Sequence, residues 1–127
     1  MIGTVHPGEI VVPVRVRGLQ GATARFTTVL DTGFNDWLTL SAAAIAELAL
    51  PFREEGRYLL ANGSETVARL FTAELDWLGA WRRILVVEME GGPLLGMAML
   101  RGYYLGVEFV EGGRVEVEPL ASNGRRP

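Results

Sequence analysis

The sequence predicts an all-β protein, a barrel or a sandwich. Three observations carry this: valine-rich runs alternate between apolar and polar residues, turn signals recur about every ten residues, and only short stretches read as helix. The chain has 127 residues, which suits one domain, and its 49% hydrophobic content is enough for a core. The core is expected over residues 9–120, with 121–127 as a frayed tail.

Residues 9–17 are the clearest strand: Ile10, Val12, Val14 and Val16 face one way and Arg15 and Arg17 the other. Pro13 puts this strand near an edge or a bulge, because proline has no N–H to give to a ladder. Residues 18–21 (Gly-Leu-Gln-Gly) read as a turn, and residues 22–30 as the returning strand. Residues 37–40 make a short strand. Ser41 can cap a helix over 42–49 with Ile45, Leu48 and Ala49 on one face, and Pro51 stops it. Residues 53–57 read as a polar connection. Strand-like runs at 58–61 and 65–75 flank Asn62-Gly63, a strong hairpin signal, with Ser64 keeping the tip wet. Residues 76–80 form a turn and 81–89 a strand, with Trp77 and Trp81 expected in packing. Leu94, Leu95 and Gly96 then lead into one or two helical turns closed by Gly102. Residues 104–110 and 114–120 form a last hairpin around Gly112-Gly113.

The stretch from Val29 to Leu40 organises the rest. An apolar run ends in Asp31, turns through Thr32-Gly33, passes Phe34, Asn35 and Asp36, and resumes as Trp37-Leu38-Thr39-Leu40. A carboxylate at the broken end of a buried strand is partly desolvated, which favours its protonated form and suits acid–base work. The same tripeptide can also be a plain turn in which Asp caps its own backbone. A fainter echo of the pattern, an apolar run into a glycine, recurs at Leu94-Leu95-Gly96.

Composition narrows the function. There is no apolar run of about 18 residues, so no membrane span is expected. No basic-then-apolar leader is present, so no signal peptide is expected either. The chain has no cysteine, which excludes disulfides, thiolate chemistry and zinc–thiolate sites and fits the cytoplasm. Net charge is −3 and the twelve basic residues, all arginine, are scattered, so no nucleic-acid face is expected. The single histidine, His6, reads as a solvated residue of a leader, not a metal ligand or a triad base. No metal and no cofactor are expected.

Taken together, these residues resemble a retropepsin-type aspartic protease, in a prokaryotic branch where Phe follows Asp-Thr-Gly. The parts are the apolar strand into Asp31-Thr32-Gly33, the Asn62-Gly63 hairpin, Leu94-Leu95-Gly96, the short helix to Leu100, and the strand after Gly102. They occur in the family's order. The resemblance implies a closed β-barrel that works as a homodimer, with Asp31 of each copy sharing one proton over a bound peptide or protein. It implies that Thr32 and Gly33 support the loop, and that Ala61, Asn62, Gly63 and Ser64 form a flap over substrate. It implies that Phe34, Leu94, Leu95 and Gly96 brace the loop and line a pocket. The acid and arginine that pair at the retroviral dimer interface are replaced here by Asn35 and Met97, so a more apolar interface is expected.

Only three aspartates are present, Asp31, Asp36 and Asp76, and neither of the last two repeats the Thr-Gly context. A symmetry-related copy is then the cheapest source of a second carboxylate. The reading is an aspartic endopeptidase. The alternative is a non-catalytic module of the same fold that binds peptides or dimerises. A phosphoryl-accepting aspartate would need further acids for magnesium and an alternating strand–helix chain, and neither is visible.

Overall fold

A computed structural model describes residues 2–60 and 62–127. Ten strands form one sheet: β1 Gly3–His6, β2 Glu9–Arg17, β3 Thr23–Leu30, β4 Leu38–Leu40, β5 Phe52–Leu59, β6 Glu65–Trp77, β7 Ala80–Glu88, β8 Leu94–Leu95, β9 Tyr103–Val107 and β10 Arg114–Pro119. A helix, α1, spans Ala42–Glu47 and a 3-10 turn spans Met97–Leu100. The all-β expectation holds. Among the described residues no helix is long and apolar enough to cross a membrane.

Six strands close a ring in the order β2-β3-β8-β4-β7-β6, and β6 returns to β2 through Val16↔Leu75 and Arg17↔Glu74. The closing corner is stitched from outside. The Arg17 guanidinium donates to Glu74 Oε1 at 3.0 Å and stacks 4.1 Å from the Trp81 ring, a planar cation on an aromatic face. Inside the ring lie Val12, Val14, Val16, Leu30, Leu38, Leu40, Leu75, Val86, Leu95 and Met99. The period-two alternation of β2 places Val12, Val14 and Val16 there, as the sequence predicts. Ile45 and Leu48 pack the helix onto this core. Ser41 caps the helix by accepting the Ala44 N–H at 3.2 Å.

Pro13 falls where β2 has a free side. β1 pairs with β2 as far as Val11 and β6 only from Val16, so residues 12–15 pair on one side alone, with β3. The missing N–H is tolerated in that gap.

Several boundaries differ from the sequence reading, each for a physical reason. The expected leader is strand β1, held between β2 and β10; His6 is exposed on it, 2.9 Å from the Thr4 hydroxyl. Residues 53–57 belong to β5, a strand exposed on nearly every side chain, so no burial pattern marks it. The two-residue turn lies at Leu78 (φ 54°) and Gly79 (φ 90°), between β6 and β7. At the Asn62-Gly63 hairpin, β5 ends at Leu59 and β6 begins at Glu65. Ala49 is exposed with a left-handed φ of 51°, because the helix ends before it. Phe109 and Val110 lie in the loop between β9 and β10, not in a strand. In the exposed segment 121–127, Arg126 donates to Glu118 at 2.8 Å and lies 4.1 Å over the Tyr104 ring.

Leu38 is fully buried where β4 meets β7 and β8. Leu38→Ala leaves a cavity at this junction and is expected to destabilise the fold by about 3 kcal/mol, read as a lower urea midpoint with an unchanged slope. A loss under about 1 kcal/mol would mean that the ring does not close there.

Candidate active site

Strand β3 is buried at Leu30 and ends there, leaving Asp31 half-buried at the mouth of a hollow. The hollow has a volume of about 350 Å³, and its walls include Ile10, Val29, Leu30, Leu94 and Phe109 around Asp31 and Thr32, with Glu9 also on the lining. Asp31 Oδ1 accepts the Gly33 N–H at 2.8 Å, and the Phe34 N–H reaches the Asp31 carbonyl at 3.1 Å. The chain therefore turns tightly and fixes the carboxylate against its own backbone. This bond is shared by the capping turn and by a catalytic loop.

What distinguishes the loop is its buttress. The two parallel pairs Val29↔Leu94 and Leu30↔Leu95 put the two echoing segments side by side, and Leu38↔Leu95 closes the other edge. The Asp31 N–H donates to the Leu95 carbonyl at 2.9 Å and the Val29 N–H to that of Pro93 at 3.1 Å. From the other side, the Gly96, Met97 and Ala98 N–H groups donate to the carbonyls of Trp37, Phe34 and Asp36 at 2.9, 2.8 and 3.2 Å. Buried Thr39 accepts the Leu94 N–H on its hydroxyl at 2.8 Å. Gly96 is extended, so it is glycine for space and not for φ: a Cβ there would collide with the Asp36 carbonyl oxygen and the Phe34 ring.

The predicted site residues separate into three groups. Asp31, Thr32 and Leu94 share the hollow. Leu95, Gly96 and half-buried Phe34 stand behind it as the brace, and Phe34 covers Gly96 instead of lining the hollow. Asn62, Gly63 and Ser64 are exposed at the hairpin tip, where Asn62 Oδ1 accepts from the Ser64 N–H at 3.0 Å and from its hydroxyl at 2.6 Å. Ala61 lies outside the described residues.

Tyr58 is a residue that the sequence reading passed over. Its phenol donates to Asp36 Oδ2 at 2.7 Å, tying the hairpin to the loop that follows Asp31. Burial holds the Tyr58 phenol well above its usual range, reinforced by the hydrogen bond to Asp36 and by the negative charges of Asp36 and Glu54. The available signal was Gly56 and Tyr58 two apart in an otherwise polar run, the only positions of β5 that are not exposed. Of the three aspartates, Asp36 thus carries Tyr58, and Asp76 lies 3.5 Å from Arg15 across the molecule. Among the described residues, no group of histidine, aspartate or glutamate side chains could hold a metal.

Comparison with protein-family models, with curated proteins and with solved structures finds no match.

Gly96→Ala is expected to cost about 2–3 kcal/mol in urea unfolding, since backbone, not a flexible side chain, blocks the new methyl. Stability is also expected to depend on Tyr58. A group whose folded pKa is raised keeps its contribution below the unfolded value and loses it as pH rises above about 10. Urea midpoints measured from pH 8 to 11 should fall more steeply in the wild type than in Tyr58→Phe. Equal slopes would contradict the half-buried hydrogen bond.

Proposed function

We propose that the protein is an aspartic endopeptidase of the retropepsin type, working as a homodimer in which two copies of Asp31 form the catalytic pair. The observation that carries this is the braced Asp31 loop. A half-buried carboxylate stands at the mouth of a hollow walled in part by Ile10, Leu94 and Phe109, and its backbone is hydrogen-bonded to the Leu94–Leu95 strand behind it. Such a loop can hold a carboxylate to a fixed position, which acid–base chemistry at a peptide bond requires. The exposed apolar side chains Leu59 and Leu60 on the hairpin and Phe109 at the hollow favour an extended peptide with apolar side chains near the cleaved bond.

In this reading two carboxyl groups meet across a twofold axis and share one proton, because two adjacent charges cannot both be ionised cheaply. The ionised member takes a proton from a water, which attacks the scissile carbonyl. The protonated member donates to that carbonyl oxygen. Thr32, exposed beside Asp31, would bond across the axis and fix the two loops relative to each other. Phe34 removes any hydroxyl from the position after Gly33, so the pair relies on the backbone for its hydrogen bonds.

The second reading, a non-catalytic dimer that binds peptides, is favoured by one feature: the Asp31–Gly33 bond would serve a purely structural turn equally well. Digestion of an unfolded-protein library between about pH 3 and 7 separates the two. Wild type is expected to cleave and Asp31→Asn to lose at least about a thousandfold in rate, with sedimentation showing a dimer at assay concentration. Identical digests from wild type and Asp31→Asn, or a monomer that still cleaves, would overturn the proposal.

A further inference from the structure

Beyond β7 the hairpin of β5 and β6 stands on its own. β6 pairs with β7 only from Leu70 onward, and β5 pairs with β6 alone. Its side chains are mostly exposed, including Leu59, Leu60 and Val67. Of the side-chain hydrogen bonds and ion pairs that described residues 53–67 make, only Tyr58–Asp36 leaves the hairpin; Arg57–Glu65 and Asn62–Ser64 stay within it. A two-stranded arm without further packing is marginally stable in water, so one strong contact can decide where it rests.

That contact is built, not incidental. Gly56 and Tyr58 are on one face of β5, two residues apart. A Cβ at Gly56 would stand 3.1 Å from the Tyr58 ring, 3.2 Å from its hydroxyl and 3.2 Å from Leu70 Cδ1, so the phenol occupies the space that a side chain there would need. The residue paired with Gly56 is the small Ala68. The slot thus aims the phenol along the sheet toward Asp36. Asp36 also reaches the brace, because its carbonyl accepts the Ala98 N–H. One residue therefore links the hairpin, the Asp31 loop and the second loop.

We propose that Tyr58 and Asp36 are positioning residues: their hydrogen bond sets the resting position of the hairpin against the loop that follows Asp31. The tethered arm is then pre-organised for an extended peptide, and each peptide bound is spared the ordering of the hairpin. The kinetic consequence rests on the proposed peptidase activity; the positional claim does not.

Amide hydrogen exchange on the full-length protein tests it. In Tyr58→Phe and in Asp36→Ala, amides of residues 55–66 are expected to exchange about tenfold faster or more, as a lost hydrogen bond to a carboxylate implies, while β2 and β7 keep their protection. The double variant should loosen the hairpin no further than either single one, since both remove the same bond. Tyr104→Phe is the matched control, because Tyr104 lies over Gly106 in the same way and makes no such bond to a carboxylate. In a peptide assay Tyr58→Phe should raise KM about tenfold with kcat changed less than twofold, the signature of a less populated competent state. Unchanged hairpin exchange in both single variants, or additive loosening in the double, overturns the proposal whatever the peptide assay reads. A wild type that cleaves nothing, with the hairpin still loosened by Tyr58→Phe, supports the positioning role and removes the peptidase reading instead.

Discussion

The two-residue strand Leu94–Leu95 is hydrogen-bonded along both edges, and the surroundings of Asp31 are placed by it. On one side it receives the end of β3, and on the other it meets Leu38 and the Thr39 hydroxyl, while Gly96, Met97 and Ala98 just after it hold the segment 34–37. Each buried backbone group left unpaired there would cost about 1–3 kcal/mol, so the set forms together or not at all. Leu95 is fully buried, and Gly96 lets the Asp36 carbonyl come into contact where any side chain would intrude. The Asp31 loop is thus fixed by the backbone of a distant segment as well as by its own residues.

Around this fixed centre the molecule divides by stiffness. The six-stranded ring is filled with branched aliphatic side chains and closed by the Arg17–Glu74 pair over Trp81, which makes it a close-packed support. The hairpin projects from that support with wet faces and rests on it through Tyr58. Under the proposed peptidase function, a rigid acid beside a loosely held arm suits a site that opens for a long substrate and then excludes water. The physical difference between the two parts is the apolar area each buries.

The legibility of the sequence follows the same division. Strand β2 was readable to the residue because one of its faces is buried and the other wet, and Ser41 marked the start of α1 because caps need particular side chains. The pairing of 29–30 with 94–95 was foreshadowed by the repeated apolar run into a turn. Strand β5 was not legible, since a two-sided exposed strand has no hydrophobic period to detect. Strand β1 was missed because Gly3, Pro7 and Gly8 look like a leader, while its burial comes from β2 and β10, far apart in sequence. The Asn-Gly signal found the right hairpin, and Leu-Gly at 78–79 made a tight turn without the usual residues. Tyr58 and Asp36 are 22 positions apart, and only the fold brings them to hydrogen-bonding distance.

In the proposed function one chain carries half of a reactive pair, and two Asp31 loops meet. The chain has no cysteine, so a single introduced thiol reports on that meeting without background. Thr32→Cys, next to Asp31 and exposed, is compared under mild oxidation with Gln20→Cys, which sits in the exposed turn before the other end of β3. Disulfides form only when the two Cα atoms come within about 7 Å. Rapid, near-complete disulfide dimer from Thr32→Cys and little from Gln20→Cys is the predicted result. Equal, slow cross-linking at both positions would contradict the account.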